Sequence, residues 1–77
     1  MYTLWIKLNN IQKLKQFVAD CSAIDQDLEV AAGEHTTNAK SMLGLMTLPL
    51  SGPLELRIMG ECENPSEILG LFEPYSI

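Results

Sequence analysis

The stretch Asn38-Ala39-Lys40-Ser41-Met42-Leu43-Gly44-Leu45-Met46-Thr47-Leu48-Pro49-Leu50 decides how the chain is read. Ser41 is a strong helix cap, since its hydroxyl can accept a hydrogen bond from an orphan amide of the first turn. Met42, Leu43, Leu45 and Met46 then cover nearly the whole circumference of a short helix. Such a helix cannot bury every side against one packing surface. Leu45 and Leu48 are expected to face a core. That leaves Met42, Leu43 and Met46 partly exposed, a Met/Leu cluster of the kind that serves as a partner surface. Pro49 stops the helix, and Ser51-Gly52-Pro53 is a breaker-rich connection.

After this stretch, Leu54, Leu56 and Ile58 alternate with Glu55, Arg57 and Met59, the period of a half-buried strand. Asn64-Pro65-Ser66-Glu67 opens a helix with a cap, a proline at the first position and a carboxylate that can reach back. Ile68, Leu69, Leu71 and Phe72 form its apolar side, and Gly70 and Pro74 keep it short.

Before it, Leu28, Val30 and Ala32 alternate with Glu29 and Ala31, Gly33-Glu34 turns, and His35-Thr36-Thr37 starts back. A turn of this length forces antiparallel pairing of its two strands. Further upstream, Ile11, Leu14, Phe17, Val18 and Cys21 recur at helical spacing, with Lys13, Lys15, Gln16 and Asp20 on the polar side. Asn9-Asn10 is the turn and cap before that helix, which ends near Ser22. Tyr2 to Leu8 alternates, with Leu4, Ile6 and Leu8 on one side and Thr3, Trp5 and Lys7 on the other. Trp5 on the outer face is expected to lie under a neighbouring long side chain, with a binding role as the alternative.

The order is strand, helix, strand, strand, short helix, strand, helix. Each helix must bury one side and each strand offers one apolar face, so helices on one face of an antiparallel sheet satisfy both. The expectation is a single α+β domain over residues 1–77. In it Ile11, Leu14, Phe17 and Val18 pack against Leu4, Ile6, Val30, Leu56 and Ile58.

Composition narrows the function. At 77 residues, with 47% apolar and 19% charged, the chain is a small globular domain. A net charge of −5 argues against nucleic acid, which calls for a basic face, and against an anionic membrane surface. No apolar run approaches a membrane span, and no basic-then-apolar signal segment opens the chain. Cys21 and Cys62 stand in unrelated contexts and read as reduced thiols, Cys21 on a helix face as a small apolar residue. The expected location is the cytoplasm.

The run from Asn38 to Leu48, followed by the strand Leu54-Glu55-Leu56-Arg57-Ile58, resembles the histidine-containing phosphocarrier protein (HPr) family of the bacterial sugar phosphotransferase system. A weaker match continues without a gap back to Gln16-Phe17-Val18. The resemblance implies an HPr-like open-faced β-sandwich, β-α-β-β-α-β-α, with a four-stranded antiparallel sheet and three helices on one face. It also implies a regulatory phosphorylation site at Ser41, since the Ser of the family's Ala-Lys-Ser motif opens the second helix and is phosphorylated in many members.

The resemblance fails at one decisive place. A phosphocarrier needs a His at the start of its first helix, within a Gly-Leu-His-x-Arg-Pro type run. The equivalent stretch here, Leu8-Asn9-Asn10-Ile11-Gln12-Lys13-Leu14, has no His, Arg or Pro. Gapless counting from Phe17 puts Asn10 at the His position, whereas the inward parity of Leu4, Ile6 and Leu8 suggests a loop shortened by an odd number of residues. An amide nitrogen is not a nucleophile comparable to imidazole, so no catalytic residue is assigned.

The only His, His35, sits by the hairpin turn and reads as a surface residue with no second metal ligand spaced to it. No carboxylate pair, triad or phosphate-cradling glycine loop stands out. No cofactor and no metal are implied, and the chain is not expected to be an enzyme.

The first reading is therefore a non-catalytic HPr-like regulatory or adaptor protein, similar to the catabolite-repression branch in which the active His is replaced and the Ser kept. Its partners would be an HPr kinase/phosphorylase, a transcription regulator or phosphotransferase enzymes, with Lys40, Met42, Leu43 and Met46 at the contact. The alternatives are a phosphocarrier-type protein that uses an unconventional residue and a homodimer or other homo-oligomeric module with no phosphotransfer role.

Overall fold

The structure is a computed structural model and describes residues 2–77. Its elements run β1 (Tyr2–Ile6), α1 (Ile11–Ser22), β2 (Leu28–Ala32), β3 (His35–Asn38), α2 (Met42–Leu45), β4 (Leu54–Ile58) and α3 (Pro65–Leu71). A 3-10 turn at Glu73–Tyr75 follows. The four strands form one sheet in the order β1-β4-β2-β3, every pair antiparallel.

The hairpin between β2 and β3 closes through Gly33, whose φ of 63° is a backbone region that glycine enters without steric cost. The central strand β4 pairs Leu56 with Leu4 on one side and with Val30 on the other. Directly opposed residues share a face, so these three stand together. The core is Ile6, Leu28, Val30, Leu54, Leu56 and Ile58 from the sheet, closed by Leu14, Phe17 and Cys21 of α1. Leu45 of α2, Leu48 just beyond it, Phe72 after α3, and Leu8, Ala39 and Tyr75 from the connections and the C-terminal segment join it. The fold is the expected α+β open sheet with three helices.

Several local expectations change. Strand β1 ends at Ile6, because Lys7 N–H turns to the Tyr75 carbonyl at 2.9 Å, yet Leu8 stays fully buried in the connection. Ile11 is 52% exposed and does not join the core. It is the first residue of α1, and the packed stripe begins one turn later at Leu14.

Helix α2 ends at Leu45, well before Pro49. The Thr47 and Leu48 amides bond back to Gly44 and Leu45 carbonyls, and the Thr47 hydroxyl also donates to the Gly44 carbonyl. These tight turns satisfy the orphan carbonyls and end the helix.

Asn64 starts α3 without a side-chain cap. Its own backbone carbonyl already takes the Glu67 and Ile68 amides. Leu71 is 45% exposed, since the inward side runs through the half-buried Ile68 and Leu69 and on to the buried Phe72 just beyond α3, and turns past it.

Trp5 is 54% exposed. Its cross-strand partner Glu55 is drawn instead to Arg57, which also holds Glu29 at 3.0 Å. Glu55 is therefore not free to lie over the indole.

The C-terminal segment was not legible as structure in the sequence. Tyr75 is buried, edge-on to Phe17 at 5.3 Å, and its hydroxyl donates to Asp20 Oδ2 at 2.7 Å. Ser76 bridges to Ile6, and Ile77 N–H donates to the Trp5 carbonyl, so the tail covers part of the β1 edge.

Candidate functional site: the start of the second helix

The approach to α2 is built by a chain of local bonds. Ala39 is fully buried, and its N–H donates to the Leu28 carbonyl at 3.0 Å, which pins the exit of β3 to β2. Asn38 Oδ1 accepts from Lys40 N–H at 2.8 Å, a side-chain turn that reverses the chain. Ser41 N–H then bonds the Asn38 carbonyl at 3.0 Å. Ser41 itself is extended, φ −101° and ψ 105°, and its Oγ accepts from Gly44 N–H at 3.1 Å. That is the expected cap.

Beyond the cap the sides of α2 separate. Leu45 is fully buried, Met42 is half-buried against the core, Leu43 is 80% exposed and Met46 is 53% exposed. The segment from Ser41 to Pro53 carries no charged residue.

Two features of the site escaped the sequence. Gly44 lies against β3: a Cβ placed on it would sit 2.0 Å from Thr37 Oγ1 and 3.1 Å from Ser41 Oγ. A glycine inside an apolar helix stretch is a weak pointer to close approach, but nothing named Thr37 as the neighbour. The second feature is Lys40, whose ammonium donates to the Ile24 carbonyl at 2.7 Å and reaches past the end of α1.

Asn10 is the N-cap of α1. It is exposed, and its Oδ1 accepts from Lys13 N–H at 2.8 Å. His35 is exposed at the start of β3, opposite Ala32. Cys21 is buried, and burial pushes its thiol up to about 12, which keeps it protonated at neutral pH. Cys62 is half-buried, and both thiols are free. Among the described residues no group of three or more His, Cys, Asp and Glu could hold a metal ion, and no helix is long and apolar enough to cross a membrane.

Comparison of the sequence with family models and with curated proteins finds no match. Comparison of the structure does find matches. The chain is similar to HPr-C-His from Thermoanaerobacter tengcongensis, with a TM-score of 0.76 and 23% identity over 92% of this chain and 85% of that one. It is similar to the phosphocarrier protein HPr from Bacillus anthracis str. Ames, with a TM-score of 0.76 and 21% identity over 99% of this chain and 94% of that one. The fold is thus HPr-like over nearly the whole chain.

Proposed function

We propose that this protein is a non-catalytic, HPr-like regulatory adaptor related to the sugar phosphotransferase system, acting in the cytoplasm, with α2 as its docking element and Ser41 as its switch. The observation that carries the reading is the arrangement at α2. A capping serine hydroxyl stands at the start of an uncharged segment, and Leu43 and Met46 project from it into solvent. Lys40 and Met42 flank them. The partners are of two kinds: an HPr kinase/phosphorylase that modifies Ser41, and a transcription regulator or phosphotransferase enzyme that reads the result.

Modification would move a phosphoryl group from a nucleoside triphosphate to Ser41 Oγ, with the hydroxyl proton leaving to a base of the kinase. It adds a charge of about −1.5 to −2 beside the apolar patch. A partner that docks dry on Leu43 and Met46 must then desolvate that charge and binds more weakly. A partner with Arg or Lys at the same place binds more tightly. Modification selects between partners without refolding the domain.

Incubation with an HPr kinase and labelled nucleotide tests this reading. Wild type is expected to take up one acid-stable phosphate and Ser41→Ala none. Ser41→Ala also loses its cap, at about 1 kcal/mol of stability measured by urea unfolding. Met46→Asp is expected to weaken docking while leaving the fold intact. If the kinase ignores Ser41 and Met46→Asp disturbs no interaction, the regulatory reading is lost.

Asn10 supports the non-catalytic half of the reading. At the start of α1 it offers an amide whose oxygen already caps the helix. With phosphoenolpyruvate and the general enzymes of the phosphotransferase system, no label is expected to transfer. Acid-labile phosphate on any residue, His35 included, would restore the phosphocarrier alternative.

A further inference from the structure

Helix α1 has no basic residue of its own in its last turn. Cations are favoured there, because the carbonyls at a helix C-terminus point outward with the negative end of the dipole. The cation comes from elsewhere: Lys40 reaches across from the start of α2, and its Nζ donates to the Ile24 carbonyl at 2.7 Å. Lys40 is close enough to Cys21 for its charge to act on that thiol. The acid of this turn, Asp20, is already engaged by the Tyr75 hydroxyl and the Gln16 amide. The Ala23 and Ile24 amides close α1 through bonds of 3.3 Å each to the Asp20 and Cys21 carbonyls. The same ammonium is on the residue next to Ser41.

We propose that Lys40 is a charge-gated tether that carries the modification state of Ser41 to the end of α1. The proposal rests on Ser41 being the regulated residue. With a free hydroxyl at Ser41, the ammonium stays on the neutral Ile24 carbonyl. A phosphate on Ser41 is a charged acceptor one residue away, and a bond between two charged groups is stronger than one to a carbonyl. The four-carbon stem of lysine lets the ammonium turn to it. Ile24 then loses its donor, and the last turn of α1 loses its cation. Ile24, Asp25 and Gln26 form one wall of a cleft of about 370 Å³, with Cys62, Glu67 and Ile68 opposite. The switch therefore reaches a surface that Ser41 does not touch.

The test places phosphoserine at position 41 during translation, so that no kinase is involved, and follows amide hydrogen exchange and amide chemical shifts. In the wild-type background, phosphoserine is expected to speed exchange at Ala23 and Ile24 by about tenfold, the loss of one charge-assisted bond from a fraying turn. Lys40→Met should show the fast exchange already without phosphate and no further change with it. Lys40→Arg keeps a charged donor and should keep the response, which separates the tether from a simple loss of fold. The proposal is overturned if phosphoserine moves only the amides of residues 41–46, or if Lys40→Met responds as wild type does. Failure of the kinase reaction would end the regulatory reading and leave this coupling measurable.

Discussion

Phe17→Ala is expected to remove about 3–5 kcal/mol of stability. A domain of this size has on the order of 4–12 kcal/mol in all. Phe17 is fully buried, with ring centroids 5.4 Å from Phe72 and 5.3 Å from Tyr75. Such tilted and edge-on aromatic pairs are favourable beyond the area they bury. Truncation opens a cavity between α1 and the C-terminal segment, where the surroundings can collapse only in part.

The effect should spread to the tail. Tyr75 is held by Phe17, by Asp20 and by the Lys7 amide, and Ile77 by the Trp5 carbonyl. Urea unfolding measures the loss, and amide exchange at Lys7 and Ile77 reports the loosened clamp. A midpoint close to wild type would mean that the aromatic cluster does not join α1 to the tail.

Gly44→Ala is expected to cost about 1–3 kcal/mol, the range for overpacking a filled site. Helix propensity alone predicts the opposite, a gain of about 1 kcal/mol for replacing an interior glycine by alanine. The sign is decided by contact. The new methyl would lie 2.0 Å from Thr37 Oγ1 and 3.2 Å from its Cβ, so α2 must move off β3 or Thr37 must turn. Thr37 is β-branched, which restricts that rotation. Ser41 Oγ is also close, so the cap that presents the candidate switch is disturbed by the same methyl.

Thr37→Ala removes the oxygen in the way, and the double variant should recover most of the loss. The cycle of single and double variants, measured by urea unfolding, isolates that coupling. If Gly44→Ala is stabilising on its own, α2 does not sit this closely on β3.

Which side of each element faces the core was legible in the residues, because burial follows periodicity and periodicity is local. Leu14, Phe17 and Cys21 at helical spacing, and Leu54, Leu56 and Ile58 at strand spacing, are all fully buried. Capping is equally local at Ser41 and Asn10, whereas the side-chain cap expected at Asn64 does not form. The Ser41 hydroxyl and the Asn10 amide each need only the three residues that follow them, and both make the expected bond. Gly33-Glu34 closes its hairpin for the same reason. The exposed Leu43 and Met46 follow from crowding too many apolar residues onto too short a helix.

Tertiary structure alone decided what depends on partners distant in sequence. Strand order is one case: β4 lies between β1 and β2 because its three inward residues complete both neighbours, and no local pattern encodes that choice. The exposed ends of the apolar stripes, Ile11 and Leu71, are another, since periodicity gives the direction of a side chain and not whether anything lies opposite. Trp5 stays open because Arg57 claims Glu55 and Glu29. The close approach of Gly44 to Thr37, the reach of Lys40 to Ile24 and the seating of Tyr75 on Phe17 and Asp20 are contacts between elements. Such contacts are fixed by how the layers dock, and that is settled only when the whole core closes.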